Sequence, residues 1–169
     1  MSKVELRKWA KSERAKLDME SISEKLVREL KSPVEFKNAK NVMLFYPLKD
    51  EVNLLSLLKD SAKSFYLPKV CGKDLLCCPY QEDDELCVSC FNTKEPISEP
   101  TESKNIDLII VPALACDKNN YRLGYGGGFY DRFLSGLSAY KIACIPKEFL
   151  VESVFPEEFD IKMDKIIIA

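Results

Sequence analysis

The sequence predicts an α/β fold, a single-domain, mostly parallel open sheet with helices on both faces, over residues 1–169. Three observations carry this. Short apolar runs alternate along the chain with segments of helical periodicity. One run, "IDLIIVP" (Ile106–Pro112), is almost continuously apolar, as a strand in the middle of a sheet must be. A chain of 169 residues also buries roughly two-thirds of its unfolded surface, enough to need no disulfide or metal staple.

Residues 3–30 are predicted helical. Leu6, Trp9, Ala10, Leu17, Ile22, Leu26, Val27 and Leu30 recur at three-to-four spacing, with a break before a second helix that Ser21 or Ser23 starts. Lys3, Arg7, Lys11 and Arg14 form a basic stripe beside that apolar one, which spacing alone reads as a solvated helix face. "NVMLFY" (Asn41–Tyr46), bounded by Pro47, is a buried strand. "EVNLLSLLKDSA" reads as a helix from about Glu51, and "SFYLP" as a second short strand stopped by Pro68. Residues 70–100 hold two weak strands around an acidic turn, "QEDDE", before a loop bracketed by Pro96 and Pro100. A helix is expected from about Gly128 to Leu137, and "YKIACI" and "KIII" close the chain as strands.

The formal net charge of -2 argues against a general nucleic-acid or membrane-surface protein. No apolar run approaches the roughly 20 residues of a membrane span, and the charged N-terminus has no signal-peptide core, so a cytoplasmic protein is expected. The chain has 7 cysteines, an odd count that does not suit a disulfide framework. Cys71, Cys77, Cys78, Cys87 and Cys90 cluster. They read first as small buried hydrophobes. The alternative is zinc on Cys77–Cys78 and the CxxC of Cys87 and Cys90, although an adjacent first pair is not regular ligand spacing. There is no histidine. That removes the commonest general base and the Ser-His and Cys-His nucleophile pairs.

The stretch "RLGYGGGFYDRF" (Arg122–Phe133) places Gly124, Gly126, Gly127 and Gly128 after the central strand and at the start of a helix. Ligands of open α/β sheets bind there, and glycines let backbone N–H groups approach an anion. No Lys-Ser or Lys-Thr follows, so this is not a Walker A loop; Phe129 stands where a dinucleotide fingerprint needs its third glycine. Arg122 is suited to neutralise phosphate and Asp131 to hold Mg²⁺ through oxygen, which favours a phosphate site over an ordinary turn.

The segment "IDLIIVPALACDKNNYRLGYGGGFYDRFL" resembles the signature of the 5-formyltetrahydrofolate cyclo-ligase family, which runs as a strand, V-P-G-x-A-F-D, then R-L-G-x-G-x-G-Y-Y-D-R. "KVELR", "FYPLKDEVN" and "FDIKMDKIII" are similar to further family blocks in the family's order, so the resemblance spans nearly the whole chain. It implies a monomeric enzyme that uses ATP and Mg²⁺ to convert 5-formyltetrahydrofolate to 5,10-methenyltetrahydrofolate, releasing ADP and phosphate. ATP phosphorylates the formyl oxygen and the substrate's own N10 closes the ring, so no protein nucleophile is needed. Its partners would be small molecules, with no nucleic acid or membrane.

Carried over by residue, the resemblance implies ATP contacts from Lys3, Val4, Glu5, Leu6 and Arg7, and from Arg122, Leu123, Gly124, Tyr125, Gly126, Gly127, Gly128, Phe129 and Tyr130. Tyr125 to Phe129 would lie between nucleotide and folate. Tyr46, Glu51 and Phe91 would contact folate, Glu51 through the pterin N–H donors. Asp131 and Asp160 would hold Mg²⁺, with Arg122 and Asp131 as the catalytic pair. Lys11 and Arg14 remain surface charges. The chain departs from the family pattern at Ala113, Cys116, Phe129, Phe149 and Phe159, the last two replacing a frequent Gln and His. Two rival readings are another ATP-dependent ligase or phosphotransferase on this scaffold, and a non-catalytic nucleotide- or zinc-binding relative.

Overall fold

A computed structural model describes residues 1–169. Helix α1 (Lys3–Arg14) starts at a capping box in which the Ser2 hydroxyl accepts from Glu5 N–H and the Glu5 carboxylate accepts from Ser2 N–H. Helix α2 (Met19–Leu30) is capped by Asp18, one turn earlier than the serines predicted. Ser23 instead bonds back to Met19 O and accepts from Asn53 N–H, tying α2 to the loop beneath it. A short α3 (Val34–Asn38) leads into β1 (Asn41–Met43).

The helix expected from Glu51 is reduced to a 3-10 turn, Leu55–Lys59. Local polar groups take its backbone bonds: Glu51 accepts from Leu48 N–H, and Asn53 Oδ1 accepts from Leu55 N–H. Strand β2 (Ser64–Cys71) runs through Pro68 rather than stopping there. Its ladder to β1 ends where Leu44 N–H meets Tyr66 O. Pro68, two residues on, faces the same side beyond that end, where a missing N–H costs nothing. β2 forms an antiparallel hairpin with β3 (Asp74–Tyr80). A separate hairpin of β4 (Leu86–Val88) and β5 (Lys94–Pro96) follows.

Strand β6 (Leu108–Ile110) lies between β1 and the later β9 (Tyr140–Ile145), and β11 (Lys165–Ile168) closes that edge. The order β11-β9-β6-β1-β2-β3 is parallel except for the β2–β3 hairpin. After β6 comes a small sheet of β7 (Ala115–Asp117), β8 (Arg122–Leu123) and β10 (Leu150–Val151). The glycine loop therefore follows β8, not the central strand itself. Helix α4 is the six residues Phe129–Leu134, shorter than predicted.

Period-two alternation divides the core across the sheet. Val42, Leu44, Leu108, Ile110, Ile142 and Cys144 face α2 and α3; Met43, Ile109, Val111, Ala143 and Ile145 face α1 and α4. Each fully buried Leu of α2, such as Leu26 or Leu30, contributes about 2 kcal/mol of transfer free energy. Arg14 corrects the expectation of a surface charge. It is 1% exposed, donates to Ala113 O at 2.6 Å, Leu114 O at 3.1 Å and Asp50 O at 3.3 Å, and lies over the Phe149 ring. Burial lowers its pKa, which the nearby Tyr125 and Glu51 oppose.

The cysteines do not converge: Cys77, Cys78, Cys116 and Cys144 are buried, and Cys71, Cys87 and Cys90 are exposed. No group of three or more Cys, Asp, Glu or His side chains is placed to hold a metal, so the four-thiolate arrangement is not formed. Burial pushes the Cys78 thiol up to about 11 and the Cys116 thiol up to about 12. In the native state at neutral pH, a thiol reagent is expected to modify Cys71, Cys87 and Cys90 rapidly and the other four only after unfolding; peptide mapping checks this. Arg14→Ala leaves three carbonyls without their donor and is expected to lower unfolding stability by about 3 kcal/mol, read from urea titration.

Candidate active site

One cavity of about 740 Å³ opens between α1, the glycine loop, and the β4–β5 hairpin. Its two ends differ chemically. Lys3, Arg7, Arg122, Asp131, Glu157 and Asp160 line the polar end; Phe45, Tyr46, Leu75 and Phe91 line the apolar end, with the glycine loop on its wall.

The loop is held by three arginines. Arg7 Nε donates to Gly124 O at 2.9 Å, and Arg132 Nη1 to Gly127 O at 3.0 Å, while Arg132 also donates to Lys73 O. Arg122 lies beneath, its Nη1 3.4 Å from Pro112 O and its Nη2 3.4 Å from Asp131 Oδ1. A Cβ at Gly124 would stand 2.5 Å from Arg122 Nη1, so the buried guanidinium requires glycine there. Gly126 and Gly128 have φ of +105° and +69°, which side-chain-bearing residues adopt only with strain. With the Gly124 and Gly127 carbonyls held by Arg7 and Arg132, the N–H groups of Gly124, Tyr125, Gly126, Gly127 and Gly128 bond to nothing within the chain. Five consecutive free donors beside guanidinium groups form an anion cradle. The helix N-terminus adds little, because α4 has under two turns.

Three side-chain donors are buried without a partner, one of them Arg14 Nε in the core. The other two are Arg122 Nε and the Tyr130 hydroxyl. Burial, with Glu51 adding to it, pushes the Tyr130 phenol above its ordinary range, so it remains a donor. Burial lowers the Arg122 pKa, opposed by Asp131. This donor set, and backbone positions that a Cβ would obstruct, fit a polyphosphate. The carboxylates fit a hard divalent cation through oxygen. Asp131 Oδ1 accepts from Ile161 N–H at 3.2 Å, which brings it beside Asp160. Asp160 accepts from Glu157 N–H and from Lys3, which also pairs with Glu157 at 3.0 Å. Despite the cost of partial burial, these bonds hold the Asp160 carboxyl below its usual range.

At the other end Glu51 is 7% exposed and held by Leu48 N–H at 2.7 Å. Tyr125 lies against it; burial first, and Glu51 second, raise the Tyr125 phenol far above its ordinary range. Phe91 packs edge-on to Phe129, with centroids 5.5 Å apart. A carboxylate acceptor amid aromatic faces suits a flat heterocycle with N–H donors.

The structure brings most of the sequence-predicted residues together and separates a few. Lys3, Val4, Arg7, Tyr46, Glu51, Phe91, Arg122 through Asp131, and Asp160 all line the cavity. Two of the expected nucleotide contacts do not. Leu6 turns into the core beneath α1, and the Glu5 side chain closes the capping box. The helical period explains this: positions 3 and 7 share a face, and 5 and 6 do not. Phe149, read as replacing a folate contact, is fully buried against Trp9, and Phe159 is 79% exposed. Neither lines the cavity.

Sequence reasoning passed over Glu157, Arg132 and Lys94. Arg132 stood in the quoted motif and was the one legible signal. Asp117, also in the motif, is structural: it accepts from the N–H groups of Asn119, Tyr121 and Val154 and shapes the β7–β8 turn.

A family model described as the 5-formyltetrahydrofolate cyclo-ligase family matches residues 1–169. A 5-formyltetrahydrofolate cyclo-ligase of Mycoplasma genitalium is 30% identical over 158 residues, covering 92% of this chain and 86% of that one. Its counterpart in Escherichia coli is 31% identical over 127 residues, 70% of each chain. The solved structure of Aquifex aeolicus 5,10-methenyltetrahydrofolate synthetase is 35% identical and superposes with a TM-score of 0.86, covering 99% of this chain and 90% of that one.

Gly128→Ala forces a Cβ to 2.6 Å from Arg132 Nη1 at a left-handed φ. It is expected to weaken binding of a nucleoside triphosphate several-fold while destabilising the fold by only about 1 kcal/mol. Calorimetric titration and a thermal melt together check this.

Proposed function

The chain belongs to the 5-formyltetrahydrofolate cyclo-ligase family, and on that premise we propose that it converts 5-formyltetrahydrofolate to 5,10-methenyltetrahydrofolate at the expense of ATP, with Mg²⁺. The observation that carries this reading is a single cavity with five free loop amides and three cations at one end and a carboxylate among aromatic rings at the other. Two substrates must meet at the boundary, and the glycine loop is that boundary.

Each residue then has a task. Glu51 accepts from the pterin N–H donors, and Tyr46, Phe91 and Phe129 cover its ring faces. The loop amides, Arg7 and Lys3 hold the triphosphate. Arg122 stabilises charge on the phosphoryl group in flight. Asp131 and Asp160 would hold Mg²⁺, which neutralises phosphate oxygens when bound. The formyl oxygen bonds to the γ-phosphorus as the bond to ADP breaks. N10 then bonds to the formyl carbon and gives up its proton, and phosphate leaves with the former formyl oxygen. The substrate supplies both nucleophiles, so catalysis rests on alignment and charge stabilisation. A chain without histidine is adequate for that.

Protein incubated with ATP, MgCl₂ and 5-formyltetrahydrofolate is expected to form ADP and the near-ultraviolet absorption of the methenyl product. A folded protein that forms neither overturns the reading. Asp131→Ala is expected to lower kcat by roughly a hundredfold or more, and chelation of Mg²⁺ to abolish turnover. Near-normal turnover in Asp131→Ala refutes the metal assignment.

A further inference from the structure

Four cations line the cavity: Lys3, Arg7, Arg122 and Lys94. Three are engaged within the chain. Lys3 pairs with Glu157 and Asp160, Arg7 donates to Gly124 O, and Arg122 is shared between Pro112 O and Asp131. Lys94 has neither a carboxylate nor a carbonyl partner. Its ammonium lies 5.7 Å from the centre of the Tyr46 ring. The neighbouring Glu95 also lines the cavity, but it forms no ion pair with Lys94 and instead accepts from Val70 N–H at 3.1 Å. The strand that carries Lys94 is anchored: β5 pairs with β4, and Thr93 Oγ1 donates to Tyr46 O at 3.4 Å.

Lys94 therefore offers a positioned, uncommitted positive charge at the apolar end, away from the carboxylates of the phosphate end. We propose that Lys94 receives a carboxylate of the glutamate moiety of the folate and so makes the enzyme prefer 5-formyltetrahydrofolate over the same pteridine lacking glutamate. This rests on the function proposed above and deepens it. That ligand ends in two carboxylates, and its aromatic body needs the rings that Lys94 adjoins. Among the residues that line the cavity, Lys94 is the one cation beside Tyr46. A charge-assisted bond at a half-open rim discriminates by roughly tenfold.

The test compares 5-formyltetrahydrofolate with 5-formyltetrahydropteroate, which has no glutamate, by calorimetric titration without ATP and by KM with ATP. Wild type is expected to prefer the folate by roughly tenfold. Lys94→Met keeps the alkyl stem over Tyr46 but loses the charge, and is expected to reduce that preference to near one. Lys94→Arg is expected to retain most of it. An unchanged preference in Lys94→Met, or wild type binding both equally, overturns the proposal while leaving the proposed function intact. Wild type that neither binds nor turns over 5-formyltetrahydrofolate overturns both.

Discussion

The guanidinium of Arg122, buried beneath the glycine loop, is the constraint on which the site depends. It cannot be left without partners in the dry, so Pro112 O and Asp131 are drawn to it. It leaves no room for a Cβ at Gly124. Its Nε remains unanswered, a cost that an anion in the cavity would offset. Glycine at 124 and the carboxylate nine residues after Arg122 thus follow from one buried charge. The same guanidinium lies 3.4 Å from Asp131 Oδ1, and Ile161 N–H holds that carboxylate beside Asp160.

Helix α1 extends this logic to the rest of the cavity. Its inward stripe of Leu6 and Ala10 packs on the sheet, which aims Lys3 and Arg7 at the loop and Arg14 into the interior. Arg14 bonds the carbonyls of Asp50, Ala113 and Leu114. It therefore joins the residue before Glu51 to the segment after β6. One helix so registers the polar end of the cavity against the Glu51 end, an alignment that the proposed reaction between two substrates would require. Arg14 does this without lining the cavity.

Much of this was legible in the chain. The near-continuous apolar run around Leu108–Ile110 marked the sheet centre, and the glycines between Arg122 and Asp131 marked the loop that lines the cavity. Hydrophobic periodicity located the helical stretch 3–30 and its break, although α2 begins about one turn before the serines expected to start it. It failed at residues 51–62, because Glu51 and Asn53 spend their side chains on nearby backbone N–H groups and a helix loses to a short 3-10 turn. It failed at Pro68 because an edge on one side is invisible in a list of residues. Arg14 was misread for a related reason: it shares a narrow stripe, about 80° wide, with Lys3, Arg7 and Lys11, and only packing decides which member goes inside.

Local chemistry in the sequence determined the fold class, the glycine-rich loop between Arg122 and Asp131, and a chain that must act without histidine. Those depend on spacing along the chain and on which functional groups exist. Tertiary structure alone decided that Leu6 and Phe149 are core, that the cysteines are dispersed rather than gathered on a metal, and that Lys94 stands uncommitted beside Tyr46. Each depends on which groups from distant segments arrive together and which are excluded from water. Burial and partnering are properties of the assembled volume, so no reading of one segment contains them.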